Sequence, residues 1–176
     1  MNAGIISTRY ARAIYAFAVE KGKETELYEG MRYLATGFSQ FPALRGIMSD
    51  PTLTAEQKIE VLNTAAGAHA NETLQQVIRL AVKNKRSNQI ENIALMYDQV
   101  YRKTKGIVTV RLTTVDPAEE KMEQALISVI AQVTDKKVEF QSKTDSGIIG
   151  GFILEIEDKR LDASVKEQLR IINYEL

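Results

Sequence analysis

The hydrophobic period of this chain changes once, near Lys105-Gly106, and that single change restricts the fold more than any other feature. Beyond it, Val108, Val110 and Leu112 alternate with Thr109, Arg111 and Thr113. Val138 and Phe140 alternate with Lys137, Glu139 and Gln141, and Phe152, Leu154 and Ile156 with Ile153, Glu155 and Glu157. Strict alternation marks half-buried strands, because successive strand side chains point to opposite faces. Ahead of the change there is no such alternation, only apolar residues at helical spacing. The expectation is an α+β protein. A six-helix bundle over residues 1–105 is followed by a small α/β domain over 106–176, with a three- or four-stranded sheet and two helices.

Punctuation inside each part sets the elements. Helix one is predicted from about Ile5 to Lys21, ending before Gly22, and helix two from about Glu24 to Gln40. Helix two stops ahead of Pro42, since the residue before proline disfavours helical backbone. A short helix is predicted over Ala43–Met48, followed by an Asp50-Pro51 turn. Thr54 with Gln57 forms a capping box for a fourth helix ending near Ala66-Gly67. Asn71 is expected to cap a fifth helix reaching Lys83, and Ser87 a sixth reaching Lys103. In the second part, Asp116-Pro117 reads as a helix start with proline at the first helical position and Glu119 and Glu120 in the first turn. Met122, Leu126, Val129 and Val133 form that helix's apolar stripe. Val165, Leu169 and Ile172 form that of the last helix, capped by Ser164 with Glu167 in a capping box, or by Asp162.

Composition excludes several function classes. No apolar run approaches the roughly 20 residues that span a bilayer. At the N-terminus, Arg9 and Arg12 sit inside the apolar stretch and Glu20 and Lys21 close it, which describes an amphipathic helix and not a cleavable signal. There is no cysteine, so disulfides, thiol catalysis and thiolate metal sites are ruled out. His69 is the only histidine, so no histidine cluster can form within one chain, and it reads as a surface or loop residue. The total charge is zero but divided: residues 1–105 hold 14 Lys+Arg against 10 Asp+Glu, residues 106–176 hold 9 against 13. An excess of that size is too small for strong nucleic-acid steering, and it suggests two halves with different partners.

The candidate sites are mostly explained by structure. A phosphate cradle places its glycines after a strand and before a helix N-terminus. Gly150-Gly151 instead precedes a strand, so it reads as a bulge or a close backbone approach at a sheet corner. Asp116, Glu119, Glu120 and Glu123 gather at a helix start, and Asp145, Asp158 and Asp162 flank turns. Both are ordinary positions for acids, and nothing pairs two of them in an apolar cleft. Arg79, Lys83, Lys85 and Arg86 could touch phosphates, but they lack interleaved aromatics and sit where a helix C-terminus favours cations.

Helices one and five stand apart. Ile6, Tyr10, Ala11, Ala13, Ile14, Tyr15, Phe17 and Ala18 cover an arc of roughly 200° on a wheel of 3.6 residues per turn. A surface helix needs an apolar stripe of only about 100°. Leu74, Val77, Ile78, Leu80, Ala81 and Val82 make helix five similarly broad. Either both helices are central in the bundle, or a groove between them accepts an amphipathic helix from a partner.

Three stretches carry a family resemblance. RYARAIYAFAVEKG resembles the first helix of the delta subunit of F-type ATP synthases, the oligomycin-sensitivity-conferring protein of mitochondria. LAVKNKRSNQIENIALMYDQVYRKTKGIVTVRLTTVDP is similar to that family's fifth and sixth helices and first strand. IIGGFILEIEDKRLDASVKEQL is similar to its most characteristic C-terminal stretch. The matches are spread over nearly the whole chain in the family's order and spacing. The chain departs from the family at Asp145-Ser146-Gly147, where Asp-Pro is frequent, and at Thr113-Thr114, where alanine is frequent.

The resemblance implies a stator subunit, not an enzyme by itself, present in a single copy and without cofactor or metal. It would link the catalytic head to the peripheral stalk so that ion-driven rotation is coupled to ATP synthesis. It implies that the helical domain binds the N-terminal helices of the alpha subunits and the α/β domain the C-terminal end of the b subunit. It further implies a peripheral place on the cytoplasmic face of a bacterial plasma membrane, with no nucleic acid and no direct membrane insertion. The expected groove residues are Ala11, Ile14, Tyr15 and Ala18 with Ile78, Ala81 and Val82; Ala11→Glu or Ala18→Glu is expected to weaken binding of an alpha-subunit N-terminal peptide, and to leave the fold intact if those residues line the groove. The alternative is a small helical RNA-binding adaptor using Arg79, Lys83, Lys85 and Arg86. A hydrolase or transferase would rest only on the scattered acids.

Overall fold

A computed structural model of the chain describes residues 3–174, and side chains from residue 4 to residue 171. The chain divides into two compact units, Met1–Tyr101 and Arg102–Leu176. The division falls inside the last turn of a helix, four residues ahead of the change in hydrophobic period. Arg102 opens the second unit, and its guanidinium donates to Thr109 Oγ1 at 2.5 Å and to Glu139 at 2.6 Å.

The first unit contains α1 (Ala3–Glu20), α2 (Glu24–Gln40), α3 (Ala43–Ser49), α4 (Ala55–Ala66), α5 (Glu72–Lys83) and most of α6 (Ile90–Thr104). Leu27, Met31, Leu34 and Phe38 run down one face of α2 and are buried. Leu62 of α4, Leu74 and Ile78 of α5, and Ile90, Ile93 and Tyr97 of α6 are likewise closed to solvent. Each such side chain contributes roughly 1.5–3 kcal/mol of burial free energy. Burial pushes the Tyr97 phenol above its ordinary pKa, and its hydroxyl donates to the Glu24 carbonyl at 3.2 Å. Thr54 and Gln57 form the expected reciprocal capping box, and Asn71 accepts from the Leu74 amide at the start of α5. Ser87 does not cap α6. A 3₁₀ turn over Ser87–Gln89 precedes the helix, and the Ser87 hydroxyl is buried and donates to the Met48 carbonyl at 3.0 Å. The hydroxyl thus donates to a tertiary carbonyl instead of accepting from a local backbone amide.

The second unit contains β1 (Ile107–Thr114), α7 (Glu120–Thr134), β2 (Lys137–Thr144), β3 (Phe152–Ile156), β4 (Lys159–Asp162) and α8 (Val165–Tyr174). The strand order is β2-β1-β3-β4, with β1 and β2 parallel across α7 and the other pairs antiparallel. The fourth strand was hidden in the charged turn after Glu157. Val108 and Val110 with Ile130 of α7 form the core, and Val138, Phe140, Leu154 and Ile156 pack against it. The opposite face of the sheet is polar, with Arg111 reaching Glu155 at 3.2 Å.

Two expectations for α7 are corrected. The helix begins at Glu120, three residues beyond Pro117, with Glu119 as its N-cap residue. Its packing face holds Ile130 with half-buried Leu126 and Ile127, whereas Met122, Val129 and Val133 are exposed by 40%, 58% and 80%. The expected stripe is turned away from the sheet by about one residue, or roughly 100°. On α8, Val165 is half-buried and Leu169 exposed, and the Ile172 side chain lies outside the described residues.

Candidate helix-binding groove

Helices α1 and α5 lie antiparallel, pinned at both ends by side chains. Asn84, the residue closing α5, donates to Tyr10 Oη at 3.1 Å, and Lys21 at the end of α1 donates to Gln76 Oε1 at 3.0 Å. Along this pair of helices runs an open groove of about 790 Å³. Its α1 wall runs from Ile6 to Phe17, which at 1.5 Å per residue is roughly 16 Å, or about three helical turns. Its walls are Ile6, Arg9, Tyr10, Ala13, Ile14 and Phe17 from α1, with Gln76, Val77, Leu80, Asn84 and Arg86 from α5 and the turn after it.

The broad apolar arc of α1 resolves into two adjoining stripes. Ser7, Ala11, Ile14 and Ala18 are buried, with Ile14 shared between the core and the groove wall. Ile6, Tyr10, Ala13 and Phe17 follow the same i, i+4, i+7, i+11 spacing one residue earlier and line the groove. On α5, Leu74, Ile78, Ala81 and Val82 are buried, Val77 is shared, and Leu80 remains 47% exposed in the groove. Being central in the bundle and lining a groove are thus both true of these helices, on different faces.

Of the seven expected groove residues, Ile14 stands on the groove wall. Ala11 and Ala18 are fully buried, and Ile78, Ala81 and Val82 are in the core. Tyr15 points into an aromatic cluster, 6.0 Å from the Tyr97 ring and 6.3 Å from Tyr101, which itself stacks on Tyr28 at 4.0 Å. Small residues let helices approach closely, and Ala11 and Ala18 are fully buried inside the bundle. Ala13, Phe17, Leu80, Arg9 and Arg86 were missed as groove residues. The signal for the first three was the second stripe itself; for the arginines it was their place at the stripe's edge.

The backbone around Arg86 explains how it reaches the groove. Lys85 adopts a left-handed conformation (φ 56°), its amide donates to Val82 O at 2.9 Å, and the Arg86 amide donates to Ala81 O at 2.8 Å. This is a Schellman closure of α5 with lysine at the position that glycine usually takes. The same closure ends α1, with Gly22 at the left-handed position and the Lys23 amide on Ala18 O at 2.8 Å.

The C-terminal candidates are structural. Gly151 has φ +75°, and a Cβ there would lie 2.2 Å from the Ala163 carbonyl oxygen. The Ala163 amide bonds Phe152 O and the Val165 amide bonds Gly150 O, so the glycine pair is a close backbone approach that clasps β3 to the end of β4. Ser164 Oγ accepts from the Glu167 amide at 3.2 Å, while Asp162 accepts from both the Ser164 amide and its hydroxyl. Both candidate caps act, in series, and the Glu167 carboxylate turns to Arg170 instead of completing the box. His69 is exposed, its ring 4.6 Å from that of Tyr33. Among the described residues no group of His, Cys, Asp or Glu is arranged to hold a metal ion, and no helix is long and apolar enough to cross a membrane.

Comparison with known proteins bears on the whole chain. The sequence model of a family described as "ATP synthase delta (OSCP) subunit" matches residues 6–176. A protein named ATP synthase subunit delta from Azobacteroides pseudotrichonymphae is 48% identical over 177 residues, covering all of both chains. One of the same name from Phocaeicola vulgatus is 38% identical over 171 residues, covering 97% of this chain and 92% of the relative. In fold, the chain resembles a chain of the Toxoplasma gondii mitochondrial ATP synthase hexamer solved by cryo-electron microscopy. The TM-score is 0.70 at 20% identity, with 96% of each chain covered.

Proposed function

The chain belongs to the ATP synthase delta (OSCP) subunit family and is a peripheral-stalk component of an ATP synthase, and from that premise we propose that it acts as a purely mechanical, non-catalytic link in the stator. The bundle would hold the N-terminal helices of the alpha subunits in the groove between α1 and α5. The α/β unit would hold the C-terminal end of the b subunit, at the cytoplasmic face of a bacterial membrane. The observation that carries this reading is the groove: an apolar channel three turns long, on a unit whose own core is already closed. Support for the second contact comes from the uncovered apolar residues of α7, Met122, Val129 and Val133. Membership in the family leaves the RNA-adaptor reading without support.

A stator must resist torque, so dissociation has to be slow. Affinity differences between related complexes lie mostly in off-rates, and a desolvated apolar seam is the kind of contact that slows release. Leu80 and Ala13 are exposed groove residues, so charges there should be tolerated by the fold. Calorimetry of the full chain with an alpha-subunit N-terminal peptide should show Leu80→Glu weakening binding by about a hundredfold, as for a central interface anchor. Unchanged affinity in a folded variant would reject the groove as the alpha-subunit site.

A further inference from the structure

An apolar groove supplies affinity but little direction, because a greasy helix can lie in it either way round or slide by a turn. The groove's ends differ, however. At one end, Lys21 is already engaged: its ammonium lies 4.5 Å from the centroid of the Phe17 ring and donates to Gln76. At the other end, Arg9 and Arg86 line the groove, and among the described residues neither is paired with a carboxylate. No acidic side chain lines the groove, although acids equal bases over the whole chain. The fold also holds Arg86 there at a cost, since the turn that delivers it places Lys85 in left-handed backbone.

We propose that Arg9 and Arg86 form a carboxylate clamp that fixes the direction and register of the bound helix, so that the groove selects an amphipathic helix with acidic side chains flanking its apolar stripe at the Tyr10–Asn84 end. This rests on the helix-accepting reading of the groove. The occupant is a peptide helix and not a phosphate chain, because Ile14, Phe17, Val77 and Leu80 between the ends would meet a nucleic acid backbone with nothing to pair. Guanidinium–carboxylate pairs at a partly desolvated rim are directional through their forked geometry. They shape specificity and on-rate more than total affinity.

The test uses the full-length chain and two designed 20-residue helical peptides with identical Leu/Ile stripes, one carrying two glutamates at a single end and the other two lysines there. The wild type should prefer the glutamate peptide by about a hundredfold at low salt, with the preference shrinking as salt rises. The Arg9→Glu/Arg86→Glu variant should reverse the order, and Arg9→Gln/Arg86→Gln, chosen in case reversal disturbs folding, should abolish it. Leu80→Glu should weaken both peptides alike. Equal binding of the two peptides by wild type, unaltered preference in a folded double variant, or displacement of the glutamate peptide by an oligonucleotide would each overturn the clamp. An alpha-subunit N-terminal peptide is run alongside. Its failure to bind while the designed pair is discriminated would count against the alpha subunit as partner and leave the clamp standing.

Discussion

The bundle and the α/β unit solve the same problem with opposite surfaces. In the bundle, every helix that crosses the centre has buried its best apolar face, and the groove is a second face left over on α1 and α5. In the α/β unit, α7 covers one face of the sheet with little more than Ile130, Leu126 and Ile127, and turns Met122, Val129 and Val133 outward. The bundle therefore has an open apolar groove on a closed core. The α/β unit has a thin core and an uncovered apolar helix surface. The difference teaches that stripe width, and not hydrophobicity itself, separates a residue that holds the fold from one left at the surface.

The sharpest way to break that contrast uses two alanines two residues apart on α1. Ala11 is fully buried, whereas Ala13 is exposed in the groove. Ala11→Glu would bury an unpaired carboxylate and should cost about 3–5 kcal/mol, enough to unfold much of the bundle. An intact fold was expected only of a residue lining the groove, and Ala11 is buried instead. Ala13→Glu should stay within about 0.5 kcal/mol of wild type and lose only the partner. Equal denaturation midpoints for the two variants would show that the two stripes are not distinct.

Next in size is a change confined to the other unit. Gly151→Ala would force a Cβ against the Ala163 carbonyl in backbone that only glycine adopts readily. The expected cost is about 3 kcal/mol. Amide exchange should accelerate from β3 through α8 while the bundle's amides keep their protection. If bundle amides accelerate equally, the two units do not hold their stability separately.

What could be read from the sequence divides along physical lines. Strand alternation and side-chain caps are local, so β1, the Thr54 box and the Asn71 cap were legible. Features decided by tertiary partners were not. Ser87 left its helix for the Met48 carbonyl, and α7 turned by one residue because its neighbouring stripe fitted the sheet. The groove's two helices were legible from their over-wide arcs. Its lining was not, because Ala11 and Ala13 look alike until something shows which face the core has claimed. In the sequence Arg9 is a charge within an amphipathic helix and Arg86 a charge at a helix end; the Schellman turn brings Arg86 to the groove.

A smaller effect, opposite in sign, is expected at that turn. Gly22 and Lys85 close α1 and α5 in the same way, but lysine pays for left-handed backbone that glycine takes freely. Lys85→Gly should stabilise the bundle by up to about 1 kcal/mol and leave the α/β unit unchanged. A loss of stability would mean that the Lys85 side chain does something its backbone geometry does not reveal.

The smallest expected effect separates the units by pH. The bundle caps α4 and α5 with the neutral side chains of Thr54 and Asn71, which do not titrate. The start of α8 depends on Asp162, whose carboxyl is held below its usual pKa first by the Ser164 hydroxyl, then by Arg160 and the Ser164 amide. A carboxyl depressed in the folded state stabilises it above the unfolded value of about 3.9. That contribution is lost as pH falls through the lower folded pKa, when the protonated group no longer accepts both bonds as an anion. Amide exchange in the first turn of α8 should therefore rise below about pH 4 relative to the first turns of α4 and α5. Asp162→Asn should remove this extra acid sensitivity while leaving exchange near neutral pH little changed. If Asp162→Asn and wild type respond to acid identically, the serial cap of Asp162 and Ser164 adds nothing that depends on charge, and the acid sensitivity of the unit must lie elsewhere on its thin core.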